Sequence, residues 1–474
     1  MKINFIVFLF FLGCSNFNSN NIDNLHILAT IGDRVITVSD FIKRAEYNVR
    51  PSYCSGNSLN EKKIILNSLI AEKLFALKFN SNLKKSHYQL IDARKEQKMR
   101  EVLFNRDIYN NIKLDSFELS NAYGNSIKEF DISYISLPQK EPLLELFHLI
   151  NDSLYTLEKI AKIYFNIDKV PIRKLKFDKS TNEDMYKIFY SKNIQIGDTY
   201  GPVLIDDYFS IFRVDNWKEI RNLSGLNKNN AISLLSKKIK GFKSHIEYRN
   251  YINSIMYGKE LVIHPENFEK LVASIHSDIE NIAINKSEYI INDLLKNKDF
   301  SKHLSNSDVI FTISDIEWTI GGFNSIISKN PIDINPKVNL FKLKKRLKEL
   351  IINKLETYYI TKAAYEKGID QHSLVKQEEI LWSDYIKTTQ VINNISSISK
   401  VPKDSYDFIE NILNPFVDSL LSENSEYINI NENYFSNISL TSIDMHVLFK
   451  EQSNKLVVPL FPMITSRSKQ NYLN

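Results

Sequence analysis

The stretch Ile27-Leu28-Ala29-Thr30-Ile31-Gly32-Asp33-Arg34-Val35-Ile36-Thr37-Val38-Ser39-Asp40-Phe41 sets the architecture. Two apolar, β-branched runs, Ile27 to Ile31 and Val35 to Thr37, flank Gly32-Asp33, and glycine readily takes the positive φ of a tight hairpin turn. Thr37 stands three residues ahead of Asp40, the spacing at which a hydroxyl and a carboxylate cap a helix reciprocally. The reading is a β-hairpin that feeds straight into a helix. Ile65, Leu66, Leu69, Ile70, Leu74 and Leu77 then recur at helical spacing between Ile64 and Phe79, predicting an amphipathic helix. A long charged helix follows from about Tyr88 to Ile112, and Asp115-Ser116-Phe117-Glu118 opens another.

Far downstream the pattern returns. Ile310-Phe311-Thr312-Ile313-Ser314-Asp315-Ile316 echoes Val35 to Phe41, and Arg346 to Leu355 echoes Ile65 to Leu74, with the helix there continuing through Lys367. The expectation is a structural duplication with Thr37 and Thr312 as matching helix caps; the alternative is that capped amphipathic helices resemble one another by chance. Between the halves the texture alternates. Phe130 to Leu137 is strand-like, Leu143 to Ile163 helical, Pro171 to Phe177 strand-like, Asn182 to Tyr190 a short helix, and Pro202 to Val214 one or two strands. This β-α-β-α-β order predicts a small α+β module. In the last section, Phe408 to Leu421 reads as helix, with strand-like alternation at Tyr427 to Ile430 and Leu456 to Pro459.

The N-terminus carries one positive charge at Lys2 and an apolar run from Ile3 to Leu12, which reads as a signal peptide. A membrane-spanning helix takes ~20 apolar residues, more than this run offers. Phe11-Leu12-Gly13-Cys14 resembles a lipobox, so Cys14 is the expected lipidation site, and Ser15 to Asn21 reads as a polar tether. With Cys14 acylated, Cys54 is the other of two cysteines, and a disulfide framework is excluded. The nine histidines carry no metal-binding spacing, and no metal or cofactor is expected. The net charge of +5 is the small difference of 61 basic and 56 acidic residues, with no basic stripe that would mark a nucleic-acid partner. P-loop, dinucleotide and nucleophile-elbow motifs are absent from the sequence, so it offers no support for kinases, dinucleotide enzymes or hydrolases.

Three places carry a family resemblance: Ala29 to Phe41 with the Ile65 to Leu77 helix; Leu157-Glu158-Lys159-Ile160-Ala161-Lys162-Ile163-Tyr164; and Gly197-Asp198-Thr199-Tyr200-Gly201-Pro202-Val203 with Ile211 to Val214 behind it. Together they resemble the SurA-like periplasmic chaperones and parvulin-type peptidyl-prolyl isomerases. The resemblance implies an α+β, predominantly helical fold, with two helical chaperone-like lobes around a small parvulin-like module. Its implied divisions are a signal peptide over 1–13, a lipidated tether over 14–25, a helical domain over 26–122 and a parvulin-like domain over 123–220. A helical connector over 221–300, a second helical repeat over 301–395 and a C-terminal region over 396–474 complete it.

Parvulins carry a histidine in the first strand and another in the last; here Tyr134 and Ser210 occupy those regions, and the glycine-rich segment is replaced by Val170 to Phe177. Met185 and Phe189 keep the spacing of the apolar pocket pair. The pocket positions implied are therefore Tyr134, Met185, Phe189 and Ser210, with no catalytic residue assigned. The expected function is a lipid-anchored chaperone on the periplasmic side of a bacterial membrane, taken to be the outer one. Its expected partners are unfolded or partly folded envelope proteins and the membrane, with no nucleic acid. An active isomerase and an envelope scaffold are the alternatives.

Overall fold

The computed structural model describes residues 26–469 apart from 153–154, 179–180, 206–207, 221–227, 283–288, 291–303, 330–332, 335–338, 404 and 442–457. The signal-peptide, lipobox and tether readings, Cys14 included, lie outside the described residues. The chain divides into two compact units, one made of Met1–Asn105 with Ser254–Asn474 and the other of Arg106–Asn253. The fold is α+β and predominantly helical, as expected.

The first unit opens with β1 (Ile27–Ile31), β2 (Arg34–Thr37), α1 (Val38–Glu46), α2 (Leu59–Lys78) and α3 (Lys85–Asp107). Gly32 makes the turn at φ +56°, the left-handed region that favours glycine. Thr37 Oγ1 accepts from the Asp40 amide at 3.0 Å while Asp40 Oδ2 accepts from the Thr37 amide at 3.3 Å, the reciprocal cap read from the sequence.

The second unit carries α4 (Ser116–Ser126), β3 (Lys128–Leu137), α5 (Glu141–Asn151), α6 (Leu157–Phe165), β4 (Ile172–Lys176), α7 (Glu183–Phe189), β5 (Thr199–Ile205), β6 (Tyr208–Glu219) and most of α8 (Lys228–Met256). Its antiparallel sheet runs in the order β4-β3-β6-β5. One core gathers Phe130, Phe189, Tyr190, Phe212 and Leu235; another gathers Ile135, Leu143, Leu157, Ile160 and Ile211. The single helix expected over Leu143 to Ile163 is two helices, because Thr156 caps the second by accepting from the Lys159 amide at 3.3 Å. Gly201 sits at φ +130°, and a Cβ there would lie 2.6 Å from the Ser210 carbonyl oxygen, so the close approach of β5 to β6 at this position requires glycine.

The chain returns to the first unit through β7 (Leu261–Ile263), α9 (Pro265–Ile282), β8 (Tyr289–Ile290), β9 (Val309–Ile313), β10 (Ile316–Thr319), α10 (Ile320–Lys329), β11 (Asp333–Ile334) and α11 (Leu340–Glu366). It ends with α12 (Ser373–Ser399), a π-helical turn (Phe408–Leu413) running into α13 (Asn414–Glu423), then β12 (Ile428–Ile430) and α14 (Glu432–Asn437). The strand expected at Leu456 to Pro459 does not form among its described residues: 458–469 is irregular and packs within the first unit, with Phe461 and Ile464 in its core.

A second hairpin of the same form is present, but Thr312 is not its helix cap, so the duplication as expected from the sequence is not met. Thr312 lies inside β9, and Thr319 is the residue whose Oγ1 accepts from the Gly322 amide at 3.1 Å. The sequence echo aligned β2 with β9, one strand out of step, because both are short β-branched runs. The correct pairs are Ile31 with Ile313, Thr37 with Thr319 and Phe41 with Phe323. Each hairpin takes a third strand in the same register: Ile31 faces Ile428 and Ala29 faces Ile430, while Ile313 faces Leu261 and Phe311 faces Ile263. The first copy draws that strand and its following helix from near the end of the chain, and the second draws them from just upstream. Phe435 and Phe268, both 1% exposed, enter the two cores from equivalent places.

Candidate nucleic-acid interface

The long helices α2 and α11 begin at matching caps: Ser58 accepts from the Glu61 amide and Asn339 from the Lys342 amide. From those caps the core positions agree. Leu66, Leu69, Ile70 and Leu74 of α2 and Leu347, Leu350, Ile351 and Leu355 of α11 are all buried. The remaining faces have diverged. Ile64, Ile65, Asn67 and Ser68 are buried, and α13 packs on α2. Their counterparts Lys345, Arg346 and Lys348 are exposed, and Glu349 is half-buried.

Five cations therefore crowd the first turns of α11: Lys342, Lys344, Lys345, Arg346 and Lys348. At helical spacing Lys342 and Arg346 form one row, and Phe341, Lys345 and Lys348 form the next. Phe341 is 77% exposed and Leu340 48%. Leu343, Leu347, Leu350 and Ile351 anchor the opposite side in the core with Phe268, Phe311 and Phe323. Acids answer only part of the charge. Glu269 pairs with Lys344, and Glu349 lies 4.0 Å from Lys345. Among the described residues, Lys342 and Arg346 have no carboxylate partner. A rigid helix thus presents clustered positive charge beside an exposed aromatic ring, the combination that grips a phosphate backbone and stacks a base. The sequence reading missed this stripe because it treated Arg346 to Leu355 only as a repeat helix.

A second cluster of charges is buried. Arg44 holds Glu72 with two hydrogen bonds, at 3.1 and 2.7 Å, and both side chains are nearly fully buried. Lys73 lies 3.2 Å and Arg34 3.3 Å from Asp384, and Lys73 lies 3.7 Å from Glu72. Burial pushes the Asp384 carboxyl above its ordinary range, outweighing Lys73 and Arg34. Val35, Ile36, Asp40, Arg44, Leu69, Glu72, Lys73 and Leu381 line a small cavity beside the network. With Arg44 and Glu72 sealed from solvent, this network serves as a tie between β2, α1, α2 and α12.

Glu378 on α12 accepts from Trp382 Nε1 at 2.8 Å, and burial raises its carboxyl above the ordinary 4.5. A carboxyl with a raised folded pKa takes up a proton on folding between its ordinary and raised values, so stability falls as pH climbs through that window. Glu378→Gln is expected to flatten the fall in stability as pH rises above 4.5, measured by urea unfolding. An unchanged pH dependence contradicts this assignment.

Cys54 is fully buried, and burial pushes its thiol up to about 12 despite Arg50. It is expected to resist iodoacetamide in the native protein and to react once urea unfolds it. Alkylation at the same rate in both states would refute that burial.

The four pocket positions read from the sequence share one face of the second unit's sheet but form no open cup. Met185 and Phe189 are buried in its core, Phe189 packing edge-on to Phe212 with centroids 5.8 Å apart. Ser210 is 3% exposed and shares a 2.6 Å hydrogen bond with Ser136. Tyr134 is half-buried, its ring 6.3 Å from that of Phe212. The described residues contain no group of three or more His, Cys, Asp and Glu that could hold a metal, and no helix among them is long and apolar enough to cross a membrane.

The fold defines an α+β, predominantly helical protein with a cationic helix face. No family model matches the chain, and no solved structure matches it. Among curated proteins it is similar to the CRISPR-associated endoribonuclease Cas13a of Leptotrichia wadei (strain F0279), 22% identical over 372 residues, 74% of this chain and 30% of that protein. The chain spans about a third of the length of the curated relative it matches.

That match overturns the resemblance drawn above. The relative is an endoribonuclease by name, and the comparisons return no chaperone, parvulin-type isomerase or lipoprotein. The chaperone function, its isomerase and scaffold alternatives and its envelope-protein and lipid-anchor partners are corrected accordingly. So is the exclusion of nucleic acid, and α11 carries a basic stripe that the sequence reading did not find. The motifs that carried the resemblance have packing duties. Leu157, Ile160 and Ala161 seat α6 on the sheet, and Gly201 admits β6.

Proposed function

We propose that this protein binds single-stranded RNA through the cationic face of α11. The observation that carries the reading is the divergence of α11 from α2: a face buried in one copy of the repeat is exposed and strongly basic in the other. The similarity to an endoribonuclease supports RNA as the polyanion. Lys342, Lys345, Arg346 and Lys348 would take successive phosphates, and Phe341 would stack a base, a contact of ~1–3 kcal/mol. Arginine adds a planar fork that matches phosphate oxygens.

The test is fluorescence anisotropy of a labelled single-stranded RNA titrated with the full chain at several salt concentrations. Neutralising about four phosphates should give a slope of log affinity against log salt near −3, since single strands contribute ~0.7 per contact. Salt-independent binding, or no binding to RNA alongside tight binding to anionic lipid vesicles, would refute the RNA reading.

A further inference from the structure

One cation of the α11 face is drawn away from the rest. Lys344 pairs with Glu269 of α9, and the two side chains are 38% and 51% exposed. Among the described residues, no other carboxylate reaches these five cations from a different element. The position of Glu269 is set by its neighbours. Phe268, Leu271, Val272 and Ile275 seat α9 in the core that also holds Leu343, Leu347 and Leu350 of α11. Glu269 therefore stands at the rim where the two helices meet. Glu266, one turn earlier, is taken by Lys270 at 2.6 Å and does not compete for α11.

The first copy of the hairpin has the lysine without the acid. Counted from the caps Ser58 and Asn339, Lys63 of α2 matches Lys344 of α11. Phe435 of α14 enters its core as Phe268 does, but the residue after it is Ser436, whose hydroxyl donates to the Asn433 carbonyl of its own helix at 3.2 Å. The lysine is thus common to both copies, and the carboxylate stands only beside the open basic face. Packing of this lobe does not call for an acid there, since the other copy is built without one.

We propose that Glu269 is a positioning residue that holds Lys344 off the RNA backbone and so limits the face to the four contacts of Lys342, Lys345, Arg346 and Lys348. This rests on the RNA reading above. A carboxylate and a phosphate compete for the same ammonium group, and an exposed ion pair is weak enough for the competition to be reversible. With Lys344 turned to α9, the cations left for RNA lie toward Lys342 and Arg346, and α9 borders the bound strand.

The test is anisotropy of a fluorescein-labelled oligouridylate titrated with the full chain, with Glu269→Gln and Lys344→Gln made singly and together. Glu269→Gln should tighten binding about fivefold at low salt and steepen the slope of log affinity against log salt by ~0.7, one added contact on a single strand. Lys344→Gln should erase that gain: proteins carrying it should bind alike with or without Glu269→Gln. Unchanged affinity and slope in Glu269→Gln, beside RNA binding by the wild type, overturns the inference and leaves the RNA reading standing. A gain that survives Lys344→Gln overturns it too, because the acid would then act by repulsion alone. Absence of RNA binding by the wild type removes both.

Discussion

Lys345→Glu with Arg346→Glu is expected to weaken single-stranded RNA binding about a hundredfold at low salt. The magnitude follows from simple electrostatics. A unit charge ~6 Å from a phosphate in water is worth ~0.7 kcal/mol. Two reversals swing about four charges, giving ~2.8 kcal/mol, or two decades in affinity. The salt slope should shrink by ~0.7 per lost contact, the single-strand value. Both side chains are exposed and the helix is anchored by its opposite face, so the fold should survive, as circular dichroism can verify. A loss under threefold, with the fold intact, would place the RNA elsewhere or nowhere on this protein.

Glu72→Ala is expected to destabilise the first unit by ~3–5 kcal/mol, because it strands the buried Arg44 guanidinium without its carboxylate. The double variant Arg44→Met with Glu72→Leu should lose less than the sum of its single changes, since an apolar pair leaves no buried charge uncompensated. Urea unfolding followed by tryptophan fluorescence reports both, with Trp382 on the neighbouring α12. A loss below ~1 kcal/mol for Glu72→Ala would mean that water reaches the pair, contrary to its burial.

Local grammar carried much of the fold into the sequence. Thr37 and Asp40, Gly32, and the apolar spacing of α2 each specify their element through neighbours a few residues away. What failed was long-range. β12 joins β1 across nearly the whole chain, and residues 458–469 lie on α2; no periodicity in Tyr427 to Lys469 encodes a partner so distant. The likeness of the two hairpins was visible, but the β-branched runs of β2 and β9 gave an alignment one strand out, and only pairing register corrected it.

The site was less legible than the fold. Tyr134, Met185, Phe189 and Ser210 do share a face, yet sequence spacing alone cannot separate a pocket from a packed interior, and here Phe189 and Ser210 are sealed. The basic run Lys342 to Lys348 stood in plain view. Its meaning came from contrast with α2, whose matching positions are covered, and that contrast needs burial, which a sequence does not state.

Photocrosslinking of a 4-thiouridine-containing single-stranded RNA to the full chain, with the adducts mapped by mass spectrometry, tests the central claim most directly. The account predicts adducts concentrated in the peptide from Leu340 to Leu350, with Phe341 prominent, and their disappearance as salt rises. Adducts confined to other peptides, or a pattern unchanged by Lys345→Glu with Arg346→Glu, would contradict it.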